Sequence, residues 1–315
     1  MISARVPRIL ALLVAWLAGT AAAQAPEYDL AARAIAPGIW VVEGSTENFS
    51  RGNGGNIVNT AFMTTGAGVV VIDTGPSRRY GEALRALIEE TTTEAISHVL
   101  ITHHHPDHAF GSQAFEPATL YMLDDARAAL ARDGEAFADN MYRMIGDWMR
   151  GTEVVVPDNV LAPGVLEVGR RRLQIIAMTG HTGADLVVFE PLSGVLFASD
   201  MVFHNRALTT PQSPGLLGWR AELEQLAELP VTVLVPGHGP VSTDLSPLRQ
   251  MADYLTWLDT LLADSARAGL SPAEVMNAPI PARFDGISER RYELVRTTTH
   301  LYPDYEKRAL SLLPE

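Results

Sequence analysis

Cysteine is absent from the 315-residue chain, and this absence limits both its covalent cross-links and its metal chemistry. Without thiols the protein forms no disulfide bond and offers no thiolate to a metal ion, although the absence is compatible with export. Any metal site in this chain must therefore be built from histidine, aspartate and water.

The apolar stretch near the N-terminus is short. Arg5 and Arg8 precede the apolar residues 9–17, a run too short for a membrane anchor that must cross the roughly 30 Å hydrocarbon core of a bilayer. Alanines at 21–23 offer the small residues that a signal peptidase needs. We predict that residues 1–23 are a cleaved secretory signal, which places the mature protein in the periplasm or outside the cell.

Positive charge is scarce, with 24 Lys and Arg against 37 Asp and Glu. Removing residues 1–23 takes away two arginines and no acid, which leaves 22 basic residues and a net charge of −15. This excess disfavours nucleic acid and anionic lipid as partners. The chain is long enough for one large or two small domains, and 47% hydrophobic residues suffice for a sizeable core.

Histidine and aspartate are concentrated in one motif, HxHxDH, at residues 103–108. Neutral imidazoles and ionised carboxylates are ligands that a borderline metal such as zinc prefers. In an extended turn after a strand, His103 and His105 point to the same side and can reach one ion. Asp107 and His108 follow the change of direction at Pro106 and can reach a second.

Three further candidate ligands occur downstream in similar settings. His181, Asp200 and His238 each follow a short apolar run, and each lies beside a turn or a glycine. Functional side chains are commonly presented from the ends of buried strands in this way.

These seven residues, in this order, resemble the dinuclear ligand set of the metallo-β-lactamase superfamily over residues 38–241. The resemblance implies that one metal is bound by His103, His105 and His181, the other by Asp107, His108 and His238, and that Asp200 bridges them. It also implies that Asp73 supports the metal-binding loop, although a simple turn or cap role is the alternative for that residue.

The resemblance implies an α/β fold, a four-layer αββα sandwich of the metallo-β-lactamase type with a C-terminal helical extension. We predict a metallo-β-lactamase-like domain over residues 24–245 and the helical extension over residues 246–315, where a helix begins with Ser246 as N-cap and Pro247 in its first turn. A capping box is predicted at Ser271. Periodicity predicts strands at 39–42, 59–64, 68–72, 97–101, 173–178, 186–190, 194–199 and 231–235, and helices at 80–90, within 124–150 and at 219–229.

Two zinc ions would lower the pKa of a bridging water and polarise the bond under attack. The expected enzyme is a metal-dependent hydrolase in which a metal-bridging hydroxide attacks an ester, thioester or lactone-like bond of a small-molecule substrate. Asp107 is the candidate catalytic residue, since its carboxylate can orient the nucleophile or accept a proton. Asp200 resembles the bridging carboxylate of glyoxalase II-type centres, which dedicated β-lactamases lack, so β-lactamase activity is expected to be minor at most.

A further resemblance is to the periplasmic quinoprotein relay system zinc metallohydrolases, which are related to sulfur-oxidation proteins. It rests on three segments, namely residues 200–211, the glycine-rich loop at 52–56 and residues 300–302. This resemblance implies a link to PQQ-dependent dehydrogenases and a quinoprotein or cytochrome partner. Two alternatives stay open. One is a mononuclear iron enzyme that resembles sulfur dioxygenases, because the motif does not select zinc over iron. The other is a non-catalytic accessory factor for a quinoprotein.

Other candidates are weaker. His204 and Arg206 follow Asp200 closely, where they could bind a substrate anion, but a loop arginine is usually a solvated cation. His104 is expected to point away from the metals, and His98 and His300 to be structural. A group of methionines and aromatics within residues 141–149 could line a substrate site, although core packing is the commoner role.

Overall fold

Two β-sheets form the centre of the protein, seen in a computed structural model that describes residues 26–311. The predicted signal segment, residues 1–23, lies outside the described residues. The first sheet has seven strands in the order of the sequence. They are β1 (Arg33–Ala36), β2 (Ile39–Val42), β3 (Thr60–Thr64), β4 (Val69–Ile72), β5 (Ile96–Ile101), β6 (Leu120–Met122) and β7 (Asn159–Val160).

The first sheet changes from antiparallel to parallel at β4. Strands β1 to β4 pair antiparallel, and β4 to β7 pair parallel. Parallel neighbours need a crossover connection. The long connections between β4, β5, β6 and β7 supply the helices α1 (Arg78–Thr91), α2 (Pro106–Ala109) and α3 (Asp124–Ile145).

The second sheet has five strands in the order β12, β11, β10, β9, β8. They are β8 (Gly164–Val168), β9 (Arg171–Met178), β10 (Asp185–Glu190), β11 (Val195–Phe203) and β12 (Val233–His238), with α4 (Leu216–Ala227) between the last two. Only β11 and β12 pair parallel in this sheet. The chain ends in α5 (Ser246–Arg267), α6 (Pro272–Met276) and α7 (Arg290–Ser311).

The side chains of β10 alternate between two hydrophobic clusters. Val188 belongs to the cluster that contains the buried residues of the first sheet, α1 and α3. Val187 and Phe189 point to the opposite face, where they pack with α4, α5 and α7. Each sheet is therefore covered by helices on its outer face, and the predicted four-layer αββα sandwich with a helical C-terminal region is confirmed.

The C-terminal helices share one hydrophobic cluster with the second sheet. The boundary predicted at residue 245 separates elements that pack together in space, and it stays a prediction. No helix within residues 26–311 is both long and apolar enough to cross a bilayer.

Helix α5 begins where the sequence predicts, but the predicted N-cap at Ser246 is wrong. Ser246 is already the first helical residue, and no side chain caps the helix at Leu245. Asp244 instead accepts a hydrogen bond from the backbone N–H of Ser246 at 2.7 Å. The capping box at Ser271 is confirmed, since Ser271 and Glu274 bond to each other's backbone N–H groups.

Candidate metal centre

The seven predicted ligands come together where strands of both sheets end. Strand β5 leads into the loop with His103 and His105, and the first turn of α2 adds Asp107 and His108. His181 follows β9, Asp200 lies within β11, and His238 is the last residue of β12. All seven side chains are buried.

Strand β11 is irregular where it presents Asp200. Its pairing with β12 shifts register on both sides of Ser199, and Ser199 has a φ of +45°. Gly237 on β12 lies so close that a Cβ there would be 1.9 Å from Oδ1 of Asp200. The absence of a side chain at Gly237 therefore makes room for the carboxylate.

Four residues form the first group, namely His103, His105, His181 and Asp200, whose ligand atoms lie within 4.8 Å of one another. Nδ1 of His105 is 3.1 Å from Nε2 of His103 and 2.8 Å from Nε2 of His181. Nε2 of His181 is 3.1 Å from Oδ2 of Asp200.

Asp107, His108 and His238 form the second group, with the same 4.8 Å limit between ligand atoms. Oδ2 of Asp107 is 3.3 Å from Nε2 of His238 and 3.7 Å from Nε2 of His108. Oδ1 of Asp200 is 3.1 Å from Nε2 of His108 and 3.3 Å from Nε2 of His238. The two oxygens of Asp200 thus face different groups.

The outer ring nitrogens are oriented by hydrogen bonds. Nδ1 of His181 donates to the backbone oxygen of Thr209 at 3.0 Å, and Nδ1 of His238 donates to the backbone oxygen of Ile57 at 2.7 Å. Nε2 of His105 pairs with Oε1 of Gln212 at 3.1 Å. Because a neutral imidazole has one N–H, the inner nitrogens of these rings carry lone pairs.

These inner lone pairs fit a cation. Nδ1 of His105 and Nε2 of His181, 2.8 Å apart, repel each other unless a positive charge lies between them. Where the two groups meet, Oδ1 of Asp200 and Nε2 of His108 lie 3.1 Å apart, and both are buried without an assigned hydrogen-bond partner. Divalent metal ions in both groups would satisfy these atoms, and the nitrogen and oxygen donors suit zinc.

The electrostatics agree with neutral histidine ligands in the first group. Burial and neighbouring histidines lower the pKa of His103 and of His105 well below the ordinary value. Burial lowers the pKa of His181 to about 3. Burial also lowers the pKa of His108, but nearby carboxylates, led by Asp200, outweigh it and raise this pKa well above its ordinary value. The second group therefore attracts positive charge.

Two aspartates outside the ligand set support the centre. Asp73 accepts a hydrogen bond from Nδ1 of His108 at 2.8 Å and from the backbone N–H of Thr102 at 2.8 Å, which shows the contacts of a supporting residue. Asp185 was missed by sequence reasoning. Its carboxylate accepts bonds from the backbone N–H groups of Gly180 and Thr182 on either side of His181.

A cleft of about 180 Å³ opens onto the ligands. Loops, α3 and α7 supply its wall, which includes Asn48, Phe49, Phe137, Asn140, Met144, Arg206, Gln212, Tyr292 and Arg296. Met144 thus faces the cleft, whereas Met141 and Met149 are core residues. Core packing is therefore seen for Met141 and Met149, and the substrate-lining role stays a prediction for Met144.

The two predicted substrate contacts are placed differently. His204 does not line the cleft, and its Nδ1 donates to the backbone oxygen of Pro240 at 2.7 Å. Arg206 lines the cleft but is only 5% exposed. Its guanidinium binds protein groups, Asn48 and the backbone oxygen of Ala207 among them.

The remaining histidines belong to neither ligand group. His104 packs beside Phe137, with ring centroids 5.7 Å apart. His98 stacks on Tyr121, and His300 is exposed on α7.

Residues 53–238, which include all seven ligands, match the family model of the metallo-beta-lactamase superfamily. The chain belongs to this superfamily. Among its relatives, the probable metallo-hydrolase YqjP of Bacillus subtilis is 24% identical over 59% of this chain and 69% of its own length. The beta-lactamase-like protein 2 homolog of Caenorhabditis elegans is 27% identical over 58% and 56%. The hydroxyacylglutathione hydrolase of Rhodobacter capsulatus is 32% identical over 33% of either chain.

Solved structures of the superfamily share the fold. A metallo-beta-lactamase from Pontibacter korlensis matches with a TM-score of 0.59 and 21% identity over 72% of this chain and 99% of its own. One from Hirschia baltica matches with a TM-score of 0.57 and 18% identity over 72% and 97%. The chain is thus a member of a metallo-hydrolase superfamily with His and Asp clusters suited to metal ions.

Proposed function

We propose that this protein is a periplasmic dinuclear zinc hydrolase that cleaves an ester, thioester or lactone-like bond of a small molecule. One observation carries the proposal. Asp200 turns Oδ2 toward the ligands of the first group and Oδ1 toward those of the second, at 3.1 Å in each case. A structural zinc site uses four ligands, whereas here one carboxylate links two groups beside an open cleft.

Two zinc ions held by these groups would supply activated water and polarise the carbonyl under attack. The protein's own residues set the rest of the chemistry. Asp107 lines the cleft and lies in the second ligand group, so its carboxylate is placed to orient the nucleophile or accept a proton. His103 and His108 are at most 1% exposed, so bulk water does not reach these two side chains and would not compete with them for a metal ion.

The relatives support a hydrolase. YqjP is named a probable metallo-hydrolase, and the Rhodobacter relative is named a hydroxyacylglutathione hydrolase, which favours an acyl substrate. The β-lactamase structures share the fold alone at 18–21% identity, and we expect β-lactam hydrolysis to be minor at most. The predicted signal segment supports export, and the resemblance to quinoprotein relay hydrolases supports a quinoprotein or cytochrome partner.

Metal analysis combined with a substrate panel tests the proposal. The mature protein is expressed with zinc and iron both supplied, and its metals are measured beside hydrolysis of an ester, a thioester, a lactone and a β-lactam. We expect about two zinc ions per chain and turnover of at least one acyl substrate. One iron per chain with oxygen consumption would establish the iron-enzyme alternative. Two zinc ions without any turnover would favour the accessory role.

The variant Asp200→Ala tests the bridge itself. Removing the shared carboxylate is expected to reduce metal in both groups and abolish hydrolysis. Asp133→Ala is the matched control, because Asp133 is partly exposed and faces His104 rather than a ligand. Undiminished metal content and activity in Asp200→Ala would contradict the bridging role.

A further inference from the structure

Two arginines of the cleft wall meet at one buried glutamate. Arg206 and Arg296 line the cleft, and both bind the carboxylate of Glu293 from α7. Two guanidinium groups thus share one carboxylate. We propose that Arg296 binds an anionic group, a carboxylate, of the substrate, and this inference rests on the proposed hydrolase function.

Arg206 is committed to protein contacts. Its side chain is 4% exposed and lies 3.5 Å from Oε1 of Glu293. It also donates to the backbone oxygen of Ala207 at 3.0 Å and to Oδ1 of Asn48 at 3.2 Å. Its Nε has no hydrogen-bond partner but is buried, so Arg206 is inaccessible to a ligand and serves to neutralise Glu293.

Arg296 has hydrogen-bond donors that bind no protein group within residues 26–311. Its side chain is 35% exposed, and only Nη1 is used, at 3.1 Å from both oxygens of Glu293. Nε and Nη2 make no hydrogen bond within residues 26–311. These two donors form one edge of the planar guanidinium, which matches the two oxygens of a carboxylate.

The local charge balance favours an anion. Arg206 and Arg296 carry two positive charges against the single negative charge of Glu293. Asp107 and Asp200 also line the cleft, and the metal ions that they would hold offset their charge. Asn140, Gln212 and Tyr292, beside Arg296 in the wall, are uncharged polar residues. Glu289 binds the side chain of Asn48 but does not line the cleft.

Glu293 also fixes this arginine relative to the metal centre. Its Oε1 accepts a hydrogen bond from Oγ1 of Thr209 at 3.0 Å, and the backbone oxygen of Thr209 accepts one from Nδ1 of His181 at 3.0 Å. Such prearranged contacts reduce the ordering cost of binding. A substrate in this 180 Å³ cleft would place its acyl bond at the metals and its carboxylate at Arg296.

Two matched thioesters test the subsite. S-acetyl-3-mercaptopropionate carries a carboxylate, and S-acetyl-3-mercaptopropionamide replaces it with a neutral amide of similar shape. Released thiol is measured with a thiol reagent, to which the protein itself contributes no signal because it contains no cysteine, and the rate without protein is subtracted. Arg296→Gln is expected to raise the KM of the carboxylate substrate by about 10- to 100-fold, the range for a lost charged hydrogen bond, and to change that of the amide by about twofold.

Two further variants define the effect. Arg296→Lys keeps the charge without the planar edge and is expected to restore part of the preference. Arg308→Gln removes the same charge from a more distant part of α7, outside the cleft, and is expected to leave both substrates unchanged. Equal effects of Arg296→Gln on both thioesters, or no effect on either, would overturn the subsite while the hydrolase stands.

A binding measurement separates failure of the subsite from failure of the hydrolase. If the wild-type protein cleaves neither thioester, calorimetry compares succinate with succinamate on the zinc-loaded protein. A preference for succinate that Arg296→Gln abolishes would support the anion subsite without any turnover. Equal binding of succinate and succinamate to the wild type would overturn it.

Discussion

Nδ1 of His108 and the carboxylate of Asp73 are 2.8 Å apart, although 35 positions separate them in the chain. The same carboxylate holds Thr102 through its backbone N–H at 2.8 Å and its hydroxyl at 2.9 Å. Asp73 has a φ of +60°, a conformation that asparagine also tolerates. Asp73 therefore orients a candidate ligand and the start of the metal-binding loop with one side chain.

We predict that Asp73→Asn weakens zinc binding by about 10- to 100-fold, the usual effect of losing a ligand's hydrogen-bond partner. The amide keeps the backbone conformation but cannot accept all three bonds. Competition with a chelator measures the affinity. Asp133→Asn is the control, since Asp133 is 3.9 Å from His104, which is outside both ligand groups. Unchanged zinc affinity in Asp73→Asn would show that the contact does not tune the metal.

Gly237 provides a steric test of the Asp200 position. An alanine Cβ there would lie 1.9 Å from Oδ1 of Asp200 and 2.7 Å from its backbone nitrogen, so the carboxylate must move. We predict that Gly237→Ala loses bound metal and about 1–3 kcal/mol of stability, the typical cost of overpacking. Gly183→Ala is the matched control near His181, because nothing lies within 4 Å of its added Cβ. Elemental analysis measures the bound metal and urea unfolding measures the stability of both variants. Equal metal content in Gly237→Ala and Gly183→Ala would contradict the prediction.

Much of the fold followed from the apolar patterns. Strands β2, β3, β4 and β10 were predicted within one residue, because nearly all of their residues are buried and form continuous apolar runs. Strand β11 was predicted to end at Ser199 but continues to Phe203. Asp200 interrupts the apolar pattern because its carboxylate belongs to the candidate metal centre, although its backbone belongs to the strand. Strand β8 was missed because its residues are mostly exposed and carry no apolar alternation.

The candidate ligands were accessible to sequence reasoning because their residue types and spacings carry chemistry. The residues of the cleft wall could not be predicted from the sequence in this way. Arg296 lies in a helix far from the motif and is distinguished only by sharing Glu293 with Arg206, a contact that tertiary packing creates. Arg206 was singled out by its position after Asp200, yet burial commits its guanidinium to the protein.

Asp185 predicts a pH-dependent stability. Burial raises its pKa to about 6 despite the opposing bonds from Thr182 and Gly180, whereas an unfolded chain has a value of about 3.9. The folded state binds the proton of Asp185 more tightly than the unfolded chain does. The stabilisation that protonated Asp185 gives the folded state is therefore fully present below about pH 4 and is lost as the pH rises through about 6.

We predict that, from pH 4.5 to 7, chelator-treated wild type loses about 2 kcal/mol of stability relative to Asp185→Asn. The asparagine variant is expected to be less stable in absolute terms because it loses hydrogen bonds, so the change with pH is the quantity of interest. Urea unfolding of both proteins at the two pH values measures it. A difference that stays constant with pH would contradict the raised pKa of Asp185.

Arg171 and Glu190 form a buried ion pair at 3.2 Å, with side chains 5% and 1% exposed. Arg171, on the second sheet, also donates to the backbone oxygens of Thr64 and Pro37 on the first sheet's side at 3.0 and 2.7 Å.

Glu190→Gln leaves this guanidinium buried without its counter-charge, and we predict a loss of about 3–5 kcal/mol in the free energy of unfolding. Glu167→Gln is the control, because Glu167 pairs at 3.0 Å with the adjacent Arg172 while both are exposed, which predicts a loss below about 1 kcal/mol. Denaturant unfolding compares the two variants, and equal losses would show that burial of the first pair does not determine its contribution.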